Sequence, residues 1–123
     1  MALDAALLEE PYCYLTTTGR VTGNPHEIEI WFGHALRRRR DTLYLLSGGG
    51  ERSDWVRNLR REPSVRVRIG DRTFAGSARV LRAGTAEAGT ARRLLFEKYQ
   101  PGYDPDLTSW RESSLPVAID LEP

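Results

Sequence analysis

At 123 residues, with 40% hydrophobic and 28% charged side chains, the chain has the size and balance of one soluble globular domain spanning residues 1–123. A net charge of +1 gives no global field toward nucleic acid or an anionic membrane, although Lys98 is the only lysine among 18 basic residues. The lone Cys13 excludes a disulfide framework within the chain, and no apolar run approaches the ~20 residues that span a bilayer. The start MALDAALLEEPY lacks the basic region of a signal peptide, so a cytoplasmic location is expected.

In chain order, residues 3–9 place Leu3, Leu7 and Leu8 on one face of a short helix that Pro11 stops. Residues 12–18, aromatic and β-branched, predict a strand, and 19–25 form a turn. Residues 27–32 predict a half-buried strand with Ile28, Ile30 and Phe32 on one face and Glu27, Glu29 and Trp31 on the other. Arg37 to Asp41 reads as a charged, solvated connection. Residues 42–47 predict an apolar strand, Gly48–Gly50 a turn, and 53–61 a helix with Trp55, Val56 and Leu59 on one side. Val65, Val67 and Ile69 alternate with polar residues in a hairpin that turns at Gly70-Asp71 and returns through 73–81. Gly76 within the second strand marks a bulge or a close backbone approach. Residues 85–99 predict a second main helix, 107–111 a helical turn, and 115–121 a last strand. Six strands with few helices point to an antiparallel sheet that curls or closes, because a parallel sheet needs helical crossovers that most of these strands lack.

Two turns hold the candidate chemistry. In Gly19-Arg20-Val21-Thr22-Gly23-Asn24-Pro25-His26, the glycines admit a ligand close to the backbone, Arg20 can pair a phosphate bidentately and Thr22 offers a hydroxyl. The alternative is a hairpin turn only. Ser47-Gly48-Gly49-Gly50 opens toward a helix start carrying Arg52 and Ser53, which reads as an anion site or as a connection with Ser53 as N-cap. Trp55 and Asn58 project on neighbouring faces of that helix, and Asn58 in its interior implies a hydrogen-bonding duty. No metal site is expected from His26 and His34, and His34 reads as a surface residue. Tyr99, Tyr103 and Trp110 surround a Pro/Gly loop, where they line a pocket for a flat ring or pack the last helix onto the sheet.

The runs TTTGRVTGNPHEIEIWF, LYLLSGGGERSDWVRNLRREPSVRVRIG and FAGSARVL resemble the deazaflavin-dependent nitroreductase family, within the larger split-barrel group that includes pyridoxamine-phosphate oxidases. The most specific parts are the Gly-Arg-x-Thr-Gly-x-Pro turn at Gly19–Pro25 and the Trp-x-x-Asn-Leu helix at Trp55–Leu59. The resemblance implies a mainly β fold with helices (α+β), a six-stranded antiparallel split β-barrel of the FMN-binding type, commonly a homodimer. It implies coenzyme F420, with FMN as the alternative, and hydride transfer to a small-molecule acceptor such as a quinone or nitroaromatic. A non-catalytic binder of the same cofactors is the rival reading; no nucleic-acid partner is expected. On this resemblance Arg20, Thr22, Gly23, Pro25 and His26 face the cofactor phosphate, and Ser47, Gly48, Gly49, Trp55 and Asn58 line its ring and tail, with Arg52 adding a cation from the helix start. Trp31, Tyr99 and Tyr103 are the candidates for the substrate pocket. Val21, His26 and Gly48 stand where well-studied members carry basic residues.

Overall fold

The computed structural model describes residues 3–123. The chain runs α1 (Ala5–Leu8), β1 (Cys13–Thr18), β2 (Pro25–Ile30), β3 (Gly33–Arg37), β4 (Arg40–Ser47), α2 (Asp54–Arg61), β5 (Ser64–Ile69), β6 (Arg72–Val80), α3 (Ala86–Tyr99), α4 (Thr108–Ser113) and β7 (Leu115–Leu121). The strands form one antiparallel sheet of seven in the order β2-β1-β5-β6-β7-β4-β3.

The expected six-stranded barrel is therefore corrected to an open, seven-stranded sheet. The additional strand is β3, a segment where Gly33 and His34 break the apolar alternation and the arginine run imitates a loop. Pairing with β4 makes it a strand nonetheless, from Gly33↔Tyr44 to Arg37↔Arg40. The preceding strand correspondingly ends at Ile30 rather than Phe32. The sheet edges are β2 and β3, yet only Trp31 and Phe32 separate them along the chain. Three Cα steps reach at most about 11 Å. The sheet must curl until its edges come close at this point, although β2 pairs only with β1 and β3 only with β4.

Curling creates an inside and an outside, and the central strands are covered on both. Inside, Leu15, Leu45, Val67, Val117 and Ile119 pack with Val56 and Leu59 of α2. Outside, Tyr44, Leu46 and Ala118 pack against Ala88, Ala91 and Leu95 of α3. Double coverage explains why β4 is buried at every position after Arg40 and reads as a continuous apolar run. Gly76 is a close approach and not a bulge: its pairing is regular, and a Cβ there would meet Ile119 at 2.8 Å. His34, expected at the surface, is mostly buried and bonded through Nε2 to Asp41 at 2.7 Å. No helix among the described residues is long and apolar enough to cross a membrane.

Candidate functional site

The turn between β1 and β2 is closed by its own backbone. The Gly19 amide donates to the Asn24 carbonyl at 2.7 Å, and the Gly23 amide donates to Gly19 at 2.8 Å. Gly23 has φ 79°, a conformation that favours glycine. The Thr22 hydroxyl accepts from the Asn24 amide at 3.2 Å, so it stiffens the turn. Gly19 is held against His26: a Cβ there would lie 2.7 Å from the imidazole Nε2.

This turn is tied to α2 by Asn58. Its carboxamide oxygen accepts from the Arg20 amide at 3.2 Å and from the Arg20 guanidinium at 2.8 Å, while its amide nitrogen donates to the Thr17 hydroxyl at 3.2 Å. A carboxamide has both acceptor and donor capacity, which is what bridging a turn and a strand demands. Arg20 also pairs with Asp54 at 3.1 Å. The guanidinium is thus aimed by two partners and still has N–H groups to spare, since it carries five. Arg20, Thr22, His26, Trp55 and Asn58 all line one cleft of about 440 Å³, together with Asp54 and Ile28.

The other candidates in these two turns are placed differently. Gly23 and Pro25 line a separate groove with Ser64 and Arg66. Ser47 is buried and donates to the Gly50 carbonyl at 3.0 Å. Its hydroxyl also meets that of Ser53 at 2.8 Å. Ser53 occupies the N-cap position of α2, but its side chain makes no capping bond, because Ser47 engages it instead. A side chain at Gly49 would collide with that same hydroxyl at 2.5 Å. Gly48 faces the Trp110 indole, 3.8 Å from a would-be Cβ. Arg52 is exposed on the short 3-10 turn Gly50–Arg52 and lies outside the Arg20 cleft.

The remaining candidates form an aromatic cluster. Trp31, in the link between the two edge strands, stacks on Tyr99 with ring centroids 4.3 Å apart and planes 3° from parallel. Tyr103 and Trp110 meet Trp31 edge-on at 5.3 and 5.5 Å. Tyr99 is fixed at both ends of its hydroxyl, accepting from the Phe32 amide at 3.0 Å and donating to the Pro11 carbonyl at 2.9 Å. Burial pushes its phenol well above the ordinary tyrosine range. Trp31, Tyr103 and Trp110 line a cleft of about 370 Å³ with Tyr12 and Leu46. Tyr99 closes the far side of Trp31, where a neighbouring cavity also takes in Lys98. The Lys98 ammonium donates to the Phe32 carbonyl at 3.1 Å, 3.6 Å from the Phe32 ring centroid. Burial lowers its pKa to about 8.

Sequence reasoning missed Asp54, Tyr12 and the position of Lys98. The Arg20–Asp54 pair spans 34 residues and follows from docking α2 on β1, which no local pattern announces. The isolated lysine in an arginine-rich chain was the one available signal for Lys98. The polar cleft uses His26 to Ile28 and the aromatic cleft Glu29 to Trp31, so the two follow one another along β2.

Solved structures of the same fold share low sequence identity with this chain. An F420-H2 dependent reductase, FDR-A, aligns with TM-score 0.68 and 21% identity over 98% of this chain and 97% of its own. An F420 reductase aligns with TM-score 0.64 and 19% identity over 99% and 97% of the two chains. A structure described as a domain-swapped dimer aligns with TM-score 0.63 and 22% identity over 98% and 83%. The model of the F420H(2)-dependent quinone reductase family matches residues 3–122. The chain belongs to that family, and is therefore an oxidoreductase with F420 as its cofactor.

Proposed function

We propose that the protein uses reduced F420 to transfer hydride to a quinone, a nitroaromatic or a similar conjugated acceptor. The observation that carries this reading is the succession of two unlike clefts along one strand. His26 and Trp31 are five positions apart, about 17 Å of extended chain, and because β2 is an edge strand a cofactor with an anionic tail at one end and a flat ring at the other would pass round that edge from the α2 side to the α3 side. The donor set fits F420: Arg20 offers spare N–H groups to phosphate, and Trp55 walls the same cleft. The rings of Trp31, Tyr103 and Trp110 offer flat apolar surface to a conjugated ring.

F420, when bound reduced, supplies the hydride; the chain's own residues bind, orient and exclude water. In this reading Arg20 anchors the anionic tail, with Asn58 and Asp54 holding its direction. Gly19 lets His26 lie close, so that the imidazole borders the same anion. Trp31, Tyr103 and Trp110 shape the space where ring and acceptor meet. Gly48 belongs here through its contact with Trp110, whereas Ser47 and Gly49 act by fixing the loop. Gly23 and Pro25 act by shaping the turn, and Arg52 lines neither cleft.

A homodimer and a cytoplasmic location complete the proposal. The free edges of β2 and β3 and the domain-swapped relative support the first. The single buried thiol is consistent with the second. The test is oxidation of reduced F420 by menadione, followed spectroscopically. Enzyme-dependent turnover that saturates in menadione is expected. Saturable F420 binding without turnover of menadione or a nitroaromatic would overturn the proposed acceptor class.

A further inference from the structure

A cavity of about 570 Å³ shares no lining residue with either cleft. It forms where β7 stops. β7 pairs with β6 and β4 on its two sides, ending with Gly76↔Leu121 and Thr42↔Asp120. Both flanking strands overhang that end, β6 by Arg72–Phe74 and β4 by Arg40–Asp41, while the Glu122 amide still donates to the Ala75 carbonyl at 2.9 Å. Strands two positions apart in a sheet are about 10 Å from each other, which sets the width of the groove.

Its walls carry four arginines: Arg38, Arg39, Arg40 and Arg72. Among the described residues, none of them lies within ion-pair distance of a carboxylate. Arg40 is fixed by a bond from its Nε to the Leu121 carbonyl at 2.9 Å, and Arg72 leans over the Phe74 ring at 5.4 Å. Leu3, Phe74 and Leu121 supply apolar lining. Two acidic residues border the groove, Glu122 and Asp41; the Asp41 carboxylate is already engaged by His34 and by the Leu3 amide. The guanidinium charge therefore exceeds the local counter-charge.

The β3–β4 turn adds an independent observation. Arg38 and Arg39 are its two central residues, with φ 54° and 66°, the only non-glycine residues of positive φ among those described. A two-residue hairpin turn of this kind favours Asn-Gly, which adopts the conformation far more cheaply. Two arginines hold these positions against local preference and project charge beside the groove, a pattern of strain that clusters at binding sites.

We propose that this groove binds the phosphate of an amphiphilic anion, the arginines holding the phosphate and the apolar lining accepting its hydrophobic body. Several guanidiniums around one site suit a phosphate, which their planar forks match bidentately. The phosphate can belong to a soluble ester or to a lipid headgroup, and the experiment separates these. Wild type, Arg38→Asn/Arg39→Gly and Arg72→Gln would be titrated with 2-naphthyl phosphate, with 2-naphthol as the control. The same proteins would be sedimented with phosphatidylcholine vesicles with and without phosphatidylglycerol. The double variant should unfold at higher temperature than wild type, since Asn-Gly relieves the turn, so lost binding cannot be ascribed to misfolding. Binding of 2-naphthyl phosphate, weakened about tenfold or more in both variants, supports a soluble phosphate ester. Sedimentation that needs phosphatidylglycerol and is lost in both variants supports a lipid phosphate. The proposal is overturned if neither probe binds, if 2-naphthol binds equally, or if the variants bind like wild type.

Discussion

Around Arg20, four polar side chains are locked to one another across a strand, a turn and a helix: Thr17, Arg20, Asp54 and Asn58. At the Trp31 end the rings touch mainly through their faces and edges, and the directional bonds come from Tyr99 and Lys98 to the backbone of Phe32 and Pro11. The polar end fixes direction, which an anion needs. The aromatic end offers surface, which a conjugated ring or a range of acceptors needs. Residues of β2 and the link after it line both clefts, so on the proposed reading cofactor specificity and acceptor tolerance are built on one stretch of backbone.

The contrast predicts unequal responses to mutation. Asn58→Ala should have the largest effect, because it strands the Arg20 amide and the buried Thr17 hydroxyl together and removes one of the two partners of the Arg20 guanidinium. A stability loss of about 3 kcal/mol is expected in urea titrations. A loss under about 1 kcal/mol would show that α2 holds the turn by apolar packing alone.

Tyr99→Phe keeps the stack on Trp31 and removes only the hydroxyl, so about 1 kcal/mol should be lost. Equilibrium unfolding by urea would show it. An unchanged midpoint would mean that water replaces the bonds to Phe32 and Pro11.

The smallest net effect in the wild type comes from a pair of opposed pH responses beneath the aromatic end, which largely offset each other until one is removed. Burial pushes the Cys13 thiol up to about 12. Its contribution to stability is full below its unfolded pKa near 8.5 and is lost as pH rises toward 12. Lys98, lowered to about 8, does the reverse. The cost of its half-buried charge is present below that pH and is relieved as pH rises toward about 10.4, its unfolded pKa. Cys13→Ala should therefore unmask stability that rises from pH 8 to about 10, and Lys98→Gln stability that falls above about 8.5. Thermal unfolding across that range in both variants is the check, and parallel curves would dissolve the pairing.

The two ends also differed in how far sequence revealed them. Arg20, Trp55 and Asn58 were legible because glycines, a lone arginine and a mid-helix asparagine are costly or conspicuous where they stand. Their joining was not, because Asn58 meets Thr17 and Arg20 only through packing of α2 against β1. The apolar alternation of β5 and β7 announced those strands directly. β3 escaped because it is a short edge strand, with exposed Leu36 and Arg37, whose pairing with β4 replaces any hydrophobic pattern. Likewise the arginine run read as a solvated connection, since hairpin geometry at Arg38 and Arg39 runs against their local preference. The aromatic cluster depended on the curl of the sheet, which brings Trp31 of the edge link beside Tyr99 of α3, 68 residues later in sequence.

The most direct test is a titration of wild type and Arg20→Ala with F420 and FMN in parallel, read by quenching of tryptophan fluorescence, since Trp55, Trp31 and Trp110 line the two clefts. Saturable F420 binding is predicted, weaker in Arg20→Ala by about 1.5–3 kcal/mol, the worth of a hydrogen bond to a charged group. Equal F420 affinity in the two proteins would remove Arg20 from the site and with it the assignment of the polar cleft to the cofactor's anion.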